Sequence, residues 1–347
     1  MKFLKVLLAI LIVLLLYVAY TMQSSGFFRA IENRFDGELL TKVEVPGAED
    51  MQADYEDGFL IVSSDDRAAR RDGNARQGHL YKLDLKEPQA PPVRLTGSYK
   101  RPLYPHGISM LRLSDSSHRL MVVNHAQRTH TIEVFDLFGD SLVHRETKRD
   151  PLMISPNDVV AIDSSRFYFT NDHGYASGFK RMAEEYLGLR ASNVVYYDGA
   201  NYQIVAEGIA YANGINRDQA RDLLYVASPR GFLVKVYNIK LSGDLEFVEN
   251  IDCGTGVDNI ELDQEGRLWI GSHPSLLHYS MYAGAKRAQS GSEIITIDYQ
   301  GTERYQVESV YLNDGTDMSA ATVAVPYQDL ILAGNVMDEA FIILKRP

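Results

Sequence analysis

Beyond its first forty residues, the chain alternates between short apolar runs and polar segments rich in Gly, Asn, Asp and Ser. Typical runs are FLIV (59–62), LMVV (120–123) and LLYVA (223–227). Runs of this length bounded by turn residues are typical of β-strands. The pattern therefore predicts an all-β domain.

One stretch departs from this pattern, FKRMAEEYLGLRAS at 179–192. Its apolar residues Phe179, Met182, Tyr186 and Leu189 recur at helical spacing. We expect a short amphipathic helix lying as a lid on the domain, with a membrane-facing lid as the alternative.

The first twenty residues are more apolar than any other part of the chain. Lys2 and Lys5 precede about fifteen apolar residues, enough to span a bilayer. We interpret residues 1–26 as a signal anchor that leaves the rest of the chain on the exported side of the membrane, periplasmic or extracellular. Cleavage near 24–26 would make the protein secreted instead. Residues 27–39 are expected to be a linker to one domain at 40–347.

The domain contains six similar segments, each with a polar start, a short strand, a turn and a second apolar strand. They begin at Glu49, His106, Asn157, Asn213, Asp258 and Asp317, with spacings of 57, 51, 56, 45 and 59 residues. A period near 50 with β pattern is typical of the four-stranded blade of a propeller. We therefore predict a six-bladed β-propeller. Pairing of LTKVEV (40–45) with AFIILK (340–345) would close the ring.

The charge, the cysteine content and one missing motif limit the functions that the chain can have. The net charge is −11 and no basic stripe is present, so we expect no nucleic-acid partner. Cys253 is the single cysteine, so no intrachain disulfide can form. No G-x-S-x-G nucleophile motif occurs in the chain.

The segment starts share polar side chains. In a propeller the inner strand of each blade begins near one mouth of the channel, so these side chains converge. Each residue alone has a simpler explanation: Asn213–Gly214, for example, is a turn dipeptide in which Gly214 would take backbone angles other residues avoid. Taken together, the carboxylate and amide oxygens fit Ca²⁺, which accepts about six to eight oxygen ligands. Zinc would want cysteines or several histidines.

Several strings at these positions resemble the paraoxonase/arylesterase family, whose members are calcium-dependent six-bladed propellers that hydrolyse lactones and aryl esters. They are GAED (47–50), PHGIS (105–109), VVNH (122–125), PNDVVA (156–161), TNDH (170–173), ANGIN (212–216), VDNI (257–260) and LWIGSHP (268–274). The resemblance is collinear from about Glu49 to the carboxyl end.

The resemblance implies two calcium ions and assigns site residues. A catalytic calcium would be held by Glu49, Asn157, Asn213, Asp258 and Asn259, and a structural calcium by Asp50, Asp158 and the backbone carbonyl of Ile108. His106 and His125 match the family's histidine dyad, and Tyr211 and His273 match walls of its substrate pocket. Segment 63–74, SSDDRAARRDGN, is unlike the apolar loop that shapes that pocket.

We therefore expect a small lactone or ester as substrate, calcium to polarise its carbonyl, and His106 to deprotonate water with His125 relaying the proton. Three alternatives stay open. A sugar lactonase of the gluconolactonase type would lack Asp50 and Asp158, and a strictosidine-synthase-like propeller would lack a catalytic metal. A membrane-tethered binding module could use calcium purely for stability.

Overall fold

The computed structural model describes residues 2–126 and 129–347. In this part the first strand is β1 Glu38–Val43, and the first two blades contain β2 Ala48–Asp54, β3 Phe59–Ser64, β4 His79–Asp84, β5 Val93–Arg94, β6 Pro105–Ser114, β7 Ser117–Asn124, β8 Thr131–Phe138 and β9 Ser141–Lys148. The strands that follow are β10 Pro156–Ala161, β11 Phe167–Asn171, β12 Ser192–Tyr197, β13 Tyr202–Ile209, β14 Ile215–Asp218, β15 Leu223–Ser228, β16 Leu233–Ile239 and β17 Leu245–Asp252. The last seven are β18 Gly256–Leu262, β19 Leu268–His273, β20 Ser292–Gly301, β21 Arg304–Asn313, β22 Ala321–Tyr327, β23 Leu330–Asn335 and β24 Phe341–Lys345. The helices are α1 Lys2–Ser24, α2 Arg67–Arg71, α3 Gly178–Leu187 and α4 Leu276–Ala283, with a 3₁₀ turn at Pro229–Gly231.

The strands form six four-stranded antiparallel sheets, which confirms the predicted six-bladed propeller. Five sheets use four consecutive strands, from β2–β5 to β18–β21. The sixth is ordered β1-β24-β23-β22, so the first strand of the chain completes the last blade. Glu38 pairs with Lys345 and Val43 with Phe341, as predicted for ring closure.

The hydrophobic core lies between neighbouring blades. One cluster joins Val62 and Leu83 of the first blade to Val323 and Phe341 of the last. The inner strands β10, β18 and β22 are buried along almost their whole length, β10 completely. This packing leaves the axis of the ring to the polar residues at the strand starts.

The amino-terminal segment is attached to the ring. α1 is long and apolar enough to cross a membrane, and it packs none of its length inside the protein. Beyond it, the Ser25 carbonyl accepts a hydrogen bond from the Leu276 N–H at 2.9 Å. Arg29 binds Glu293 through two hydrogen bonds of 2.7 Å. These contacts fix the end of α1 beside α4.

The predicted lid helix is present as α3, but its apolar side is not packed on the propeller. Phe179 and Leu187 are 77% and 59% exposed, whereas Glu184 is buried and accepts hydrogen bonds from the Gly174 and Tyr175 N–H groups. The helix ends at Leu187 because Gly188 takes a left-handed conformation. The side chain of Tyr186, part of the predicted face, lies outside the described residues.

Candidate active site and metal centre

Bulges in the inner strands turn the predicted site residues toward the channel. The pairing register shifts between Ala48 and Asp50 in β2, Pro105 and Ile108 in β6, Pro156 and Val159 in β10, Val257 and Ile260 in β18, and Ala321 and Val323 in β22. A bulge inserts an extra residue and bends its strand, so consecutive side chains can point the same way. Three of these bulges involve polar pairs found from the sequence, Glu49–Asp50, Asn157–Asp158 and Asp258–Asn259, and the bulge in β6 contains His106.

Two glycines allow neighbouring inner strands to approach closely. A Cβ on Gly107 would lie 2.3 Å from Asp158 Oδ1, and one on Gly214 would lie 2.4 Å from the Asp258 carbonyl oxygen. Gly214 is not among the residues with positive φ, so the explanation by unusual turn angles was wrong. It is a glycine because the next blade occupies the space where a side chain would go.

The residues expected to bind a catalytic metal share one feature: each has a buried side-chain oxygen without a hydrogen-bond partner. These atoms are Glu49 Oε2, Asn157 Oδ1, Asn213 Oδ1, Asp258 Oδ1 and Asn259 Oδ1. An unpaired buried polar atom is unfavourable by about 1–3 kcal/mol, so five together need a common explanation. The set fits a hard cation, which accepts only oxygen lone pairs of this kind.

Glu49 is the most connected member of this set. Its Oε1 lies 3.2 Å from His106 Nε2 and accepts a hydrogen bond from Asn259 Nδ2 at 3.1 Å. Burial alone would raise the pKa of Glu49, but His106 and Arg67 beside it lower that pKa to about 2. Glu49 is therefore a carboxylate at neutral pH. In the sixth blade, to which the sequence assigned no metal ligand, the Thr322 hydroxyl donates to the Glu49 carbonyl at 2.6 Å.

Asp258 and His273 form a buried pair on the opposite side of the site. Asp258 Oδ2 lies 2.9 Å from His273 Nε2, and the His273 ring stacks on Tyr279 at 4.1 Å. Burial raises the pKa of Asp258, and the contact with His273 offsets part of that rise. The stacking keeps His273, a predicted pocket residue, against the metal-site carboxylate.

Three further carboxylates lie together beside this set: Asp50, Asp158 and Glu261. Asp50 accepts the N–H groups of Met51 and Ile108, and Asp158 accepts those of Val159 and Ile215, at 2.7–2.9 Å. Burial and neighbouring carboxylates raise the pKa of all three well above the ordinary value. Such mutual repulsion fits a group that a cation would neutralise. Glu261 was not identified from the sequence, and the proposed carbonyl ligand from Ile108 stays a prediction.

The predicted histidine dyad is assembled, and a third histidine extends it. His106 Nδ1 lies 2.7 Å from His125 Nε2, and His125 Nδ1 lies 2.8 Å from His130 Nδ1. Burial, with His106 and His130 nearby, lowers the pKa of His125 well below its ordinary value. His130 was not identified from the sequence, where it is a lone histidine in a polar turn.

A cavity of about 390 Å³ opens onto part of the metal-binding set. Asn213, Asp258, Tyr211 and His273 line it, together with Thr21, Ser25 and residues of α3 and α4. Tyr211 takes a left-handed backbone conformation and packs its ring against His173. Both predicted pocket residues are therefore in the cavity wall.

Segment 63–74 contains α2, and the first residue of this helix, Arg67, lies at the site. Arg67 lies 4.0 Å from Glu49 Oε2 and 3.8 Å from Asp65, and its Nη2 has no hydrogen-bond partner. The sequence showed that this segment is charged where the family has an apolar loop. It could not show that one of its three arginines, Arg67, enters the active site.

Another group with metal-ligating side chains lies at the far end of β2: Asp54, Asp57 and His118. Arg112 contacts both carboxylates, at 3.2 and 2.9 Å, and His118 Nε2 lies 2.6 Å from Asp54. Arg112 therefore offsets negative charge within this group. The group is an ion-pair cluster at the end of β2 away from Glu49 and Asp50.

Comparison with known proteins identifies the family. Residues 72–343 match the Arylesterase family. Serum paraoxonase/arylesterase 1 of Homo sapiens is 35% identical over 270 residues, 76% of each chain. Serum paraoxonase/arylesterase 2 of Rattus norvegicus is 33% identical over 271 residues, again 76% of each chain.

Solved structures match at the level of fold. A luciferin-regenerating enzyme superposes with a TM-score of 0.56 at 14% identity, covering 91% of this chain and 96% of its own. A gluconolactonase from Xanthomonas campestris gives 0.54 at 15% identity, covering 91% and 94%. The family match begins after Glu49 and Asp50, so the placement of these two residues rests on the propeller geometry.

Proposed function

The chain belongs to the arylesterase family and is a carboxylic-ester hydrolase of the esterase/lactonase kind, and we propose that it hydrolyses lactones and aryl esters with calcium held in its channel. The supporting observation is the set of five buried oxygens that lack partners, all on residues assigned to the catalytic calcium by the family resemblance. Calcium bound there would polarise the substrate carbonyl and stabilise the oxyanion that forms on it.

The chain's own residues supply the rest of the chemistry. His106 Nε2 lies 3.2 Å from Glu49 Oε1 at the edge of the metal-binding set. With the Glu49 carboxylate bound to calcium, this nitrogen would be free to accept a proton from the attacking water. His125 orients the His106 ring through the 2.7 Å contact to Nδ1. The side-chain amides of Asn157 or Asn213, and the unpaired Nη2 of Arg67, are donors available to a developing oxyanion.

A second calcium is proposed for the carboxylates Asp50 and Asp158, with the Ile108 carbonyl as a further ligand. Glu261 would add a third carboxylate to this group, since burial and the charge of Asp158 raise its pKa. The pair Asp50 and Asp158 favours two metals over the gluconolactonase-type alternative, which would need only one. The pair His106 and His125 favours an enzyme over a pure binding module, because metal binding alone does not require two adjacent imidazoles.

We also propose that α1 anchors the protein in a membrane. Thr21 and Ser25, at the end of α1, line the substrate cavity. The exposed apolar residues of α3 lie at the same end of the propeller. A bilayer holding α1 would therefore face the cavity mouth, which suits apolar esters and lactones that concentrate in membranes.

The test is hydrolysis of phenyl acetate and of a series of aliphatic lactones by the full chain in detergent. We expect activity with calcium, its loss on chelation and its return when calcium is restored. Asp258→Ala and His106→Gln should each lower kcat/KM by about 10²-fold or more. Activity that survives chelation, or that Asp258→Ala leaves unchanged, would contradict the proposal. Binding of calcium with thermal stabilisation but no turnover would favour the binding-module alternative.

A further inference from the structure

The three histidines form a continuous line of ring contacts that runs from the active site to a separate cleft. His125 uses both ring nitrogens, Nε2 toward His106 at 2.7 Å and Nδ1 toward His130 at 2.8 Å. His130 lines a cleft of about 1030 Å³ with Arg149, Ser155, Ser177 and Arg181. This cleft shares no lining residue with the substrate cavity, within the part of the chain that the structure describes.

We propose that His130 is the outer member of a proton relay that connects His106 to solvent in this cleft. The proposal rests on the proposed function, because His106 must be the group that takes the proton from water. His130 acts through His125 and touches no reacting atom, so it is a positioning residue for proton transfer. Family resemblance does not assign it a role.

The number of ring N–H hydrogens on the three histidines is consistent with this role. Each contact between ring nitrogens needs one hydrogen, and each neutral imidazole carries one hydrogen. With all three rings neutral, both contacts are filled and one hydrogen remains for the two ends, on His106 Nε2 beside Glu49 or on His130 Nε2 in the cleft. The relay begins from the form with this hydrogen on His130 and His106 Nε2 bare. Burial lowers the pKa of both His125 and His130, which keeps these rings neutral at neutral pH.

Hydrolysis moves protons in both directions along this line, and the atoms balance. When His106 Nε2 takes a proton from the attacking water, its Nδ1 proton passes to His125 Nε2. The Nδ1 proton of His125 then passes to His130 Nδ1, and the Nε2 proton of His130 enters the cleft. The reverse sequence delivers a proton from the cleft to the leaving alkoxide and restores the starting state. The carboxylic acid product ionises separately, so one proton is released per ester cleaved.

A separate route for protons has a physical reason. The substrate fills the mouth of its own cavity during the reaction and excludes water there. The cleft beside His130 stays open to buffer while the substrate is bound. A proton can therefore leave without waiting for the product to leave.

The experiment measures kcat and KM for phenyl acetate with calcium present, in weakly buffered solution, as imidazole is added. His130→Gln can still contact His125 but cannot take up and pass on a proton. We expect it to lower kcat roughly ten-fold with KM unchanged, and imidazole to restore kcat by replacing the lost ring. His79→Gln is the matched control, because His79 contacts Thr96 and is not part of the line; it should match wild type at every imidazole concentration.

The outcomes separate the relay from the proposed function. Unchanged kcat in His130→Gln, with His106→Gln inactive, would overturn the relay alone. A loss of kcat that imidazole does not restore, in a variant with wild-type melting temperature, would show a structural role and also overturn it. Full activity in His106→Gln would overturn the proposed function as well.

Discussion

Asp50 and Asp54 belong to the same inner strand, yet their carboxylates are in opposite environments. Asp50 is near the mouth among Asp158 and other carboxylates, and burial with these charges raises its pKa. Asp54 is at the far end; burial would raise its pKa, but the Asp57 N–H, His118 and Arg112 lower it. At one end of β2, Asp50 is surrounded by carboxylates and would be stabilised by a bound cation. At the other end, Asp54 is already stabilised by Arg112 and by hydrogen bonds.

The lowered pKa of Asp54 predicts a specific dependence of stability on pH. Its folded pKa lies below its unfolded pKa, so ionised Asp54 stabilises the fold above the unfolded pKa, and this contribution is lost as pH falls. Asp54→Asn should therefore be less stable than wild type at neutral pH, with the difference shrinking from about pH 5 to about pH 3. Urea unfolding in the presence of a chelator would measure it. Asp140→Asn, at an exposed ion pair with Lys82, is the control; a difference for Asp54→Asn that stays constant with pH would contradict the argument.

Single residues were predictable from the sequence where a repeated pattern supported them. Asn213 was assigned because equivalent positions in other blades are also polar, and its unpaired oxygen lies with theirs. The reason for Gly214 was wrong, because close approach of another blade cannot be read from one turn. His130 and Arg67 lie outside the repeated positions, so no pattern distinguished them from surface residues.

At the scale of elements, α3 exposes its apolar side chains and buries a charged one. This is the arrangement of a helix whose apolar face contacts another surface, such as a membrane. Glu184 points into the domain and holds the preceding loop, while Phe179, Met182 and Leu187 are exposed. Helical spacing in the sequence predicted the element but not the direction of its apolar face. The apolar face points outward because Glu184 is buried and binds backbone N–H groups of the preceding loop. From the sequence, a glutamate in an amphipathic helix is expected on the solvent side.

We predict that α3 contributes to membrane binding independently of α1. In a form that begins at residue 25, the double variant Phe179→Ser with Leu187→Ser should bind phosphatidylcholine vesicles at least about ten-fold more weakly, since each side chain gains about 1.5–3 kcal/mol when fully buried. Leu241→Ser is the control, because Leu241 is fully exposed in the β16–β17 turn at the opposite end of the propeller. Sedimentation with vesicles measures the binding, and equal loss in the control would argue against an oriented surface.

At the scale of the whole molecule, the ring is closed by strand pairing alone. β1 pairs with β24 over five residue pairs, and Val43 and Phe341 pack in the same cluster as the first blade. The closing strands were predictable because the segments at both ends of the domain had no partner in the six repeats. Cys253 is free and half-buried, so no disulfide contributes to closure.

Removal of β1 should destabilise the propeller far more than removal of the residues before it. A form beginning at residue 44 should melt at least ~5 °C below a form beginning at residue 37, which is the effect of roughly 2 kcal/mol in a large domain. Calorimetry with calcium present measures both midpoints. Addition of a thiol reductant should leave both unchanged. Equal midpoints for the two forms would show that the closing pair does not hold the ring.

Closure of the last blade by the first strand also sets an order of events during synthesis. β1 leaves the ribosome before every other blade strand, but its partner β24 leaves after all of them. The first strand must therefore wait, unpaired, until the other strands have been made, exposing an edge that other chains could pair with. A chain interrupted before β24 cannot close its ring, so the nascent protein completes its fold only after that strand has emerged.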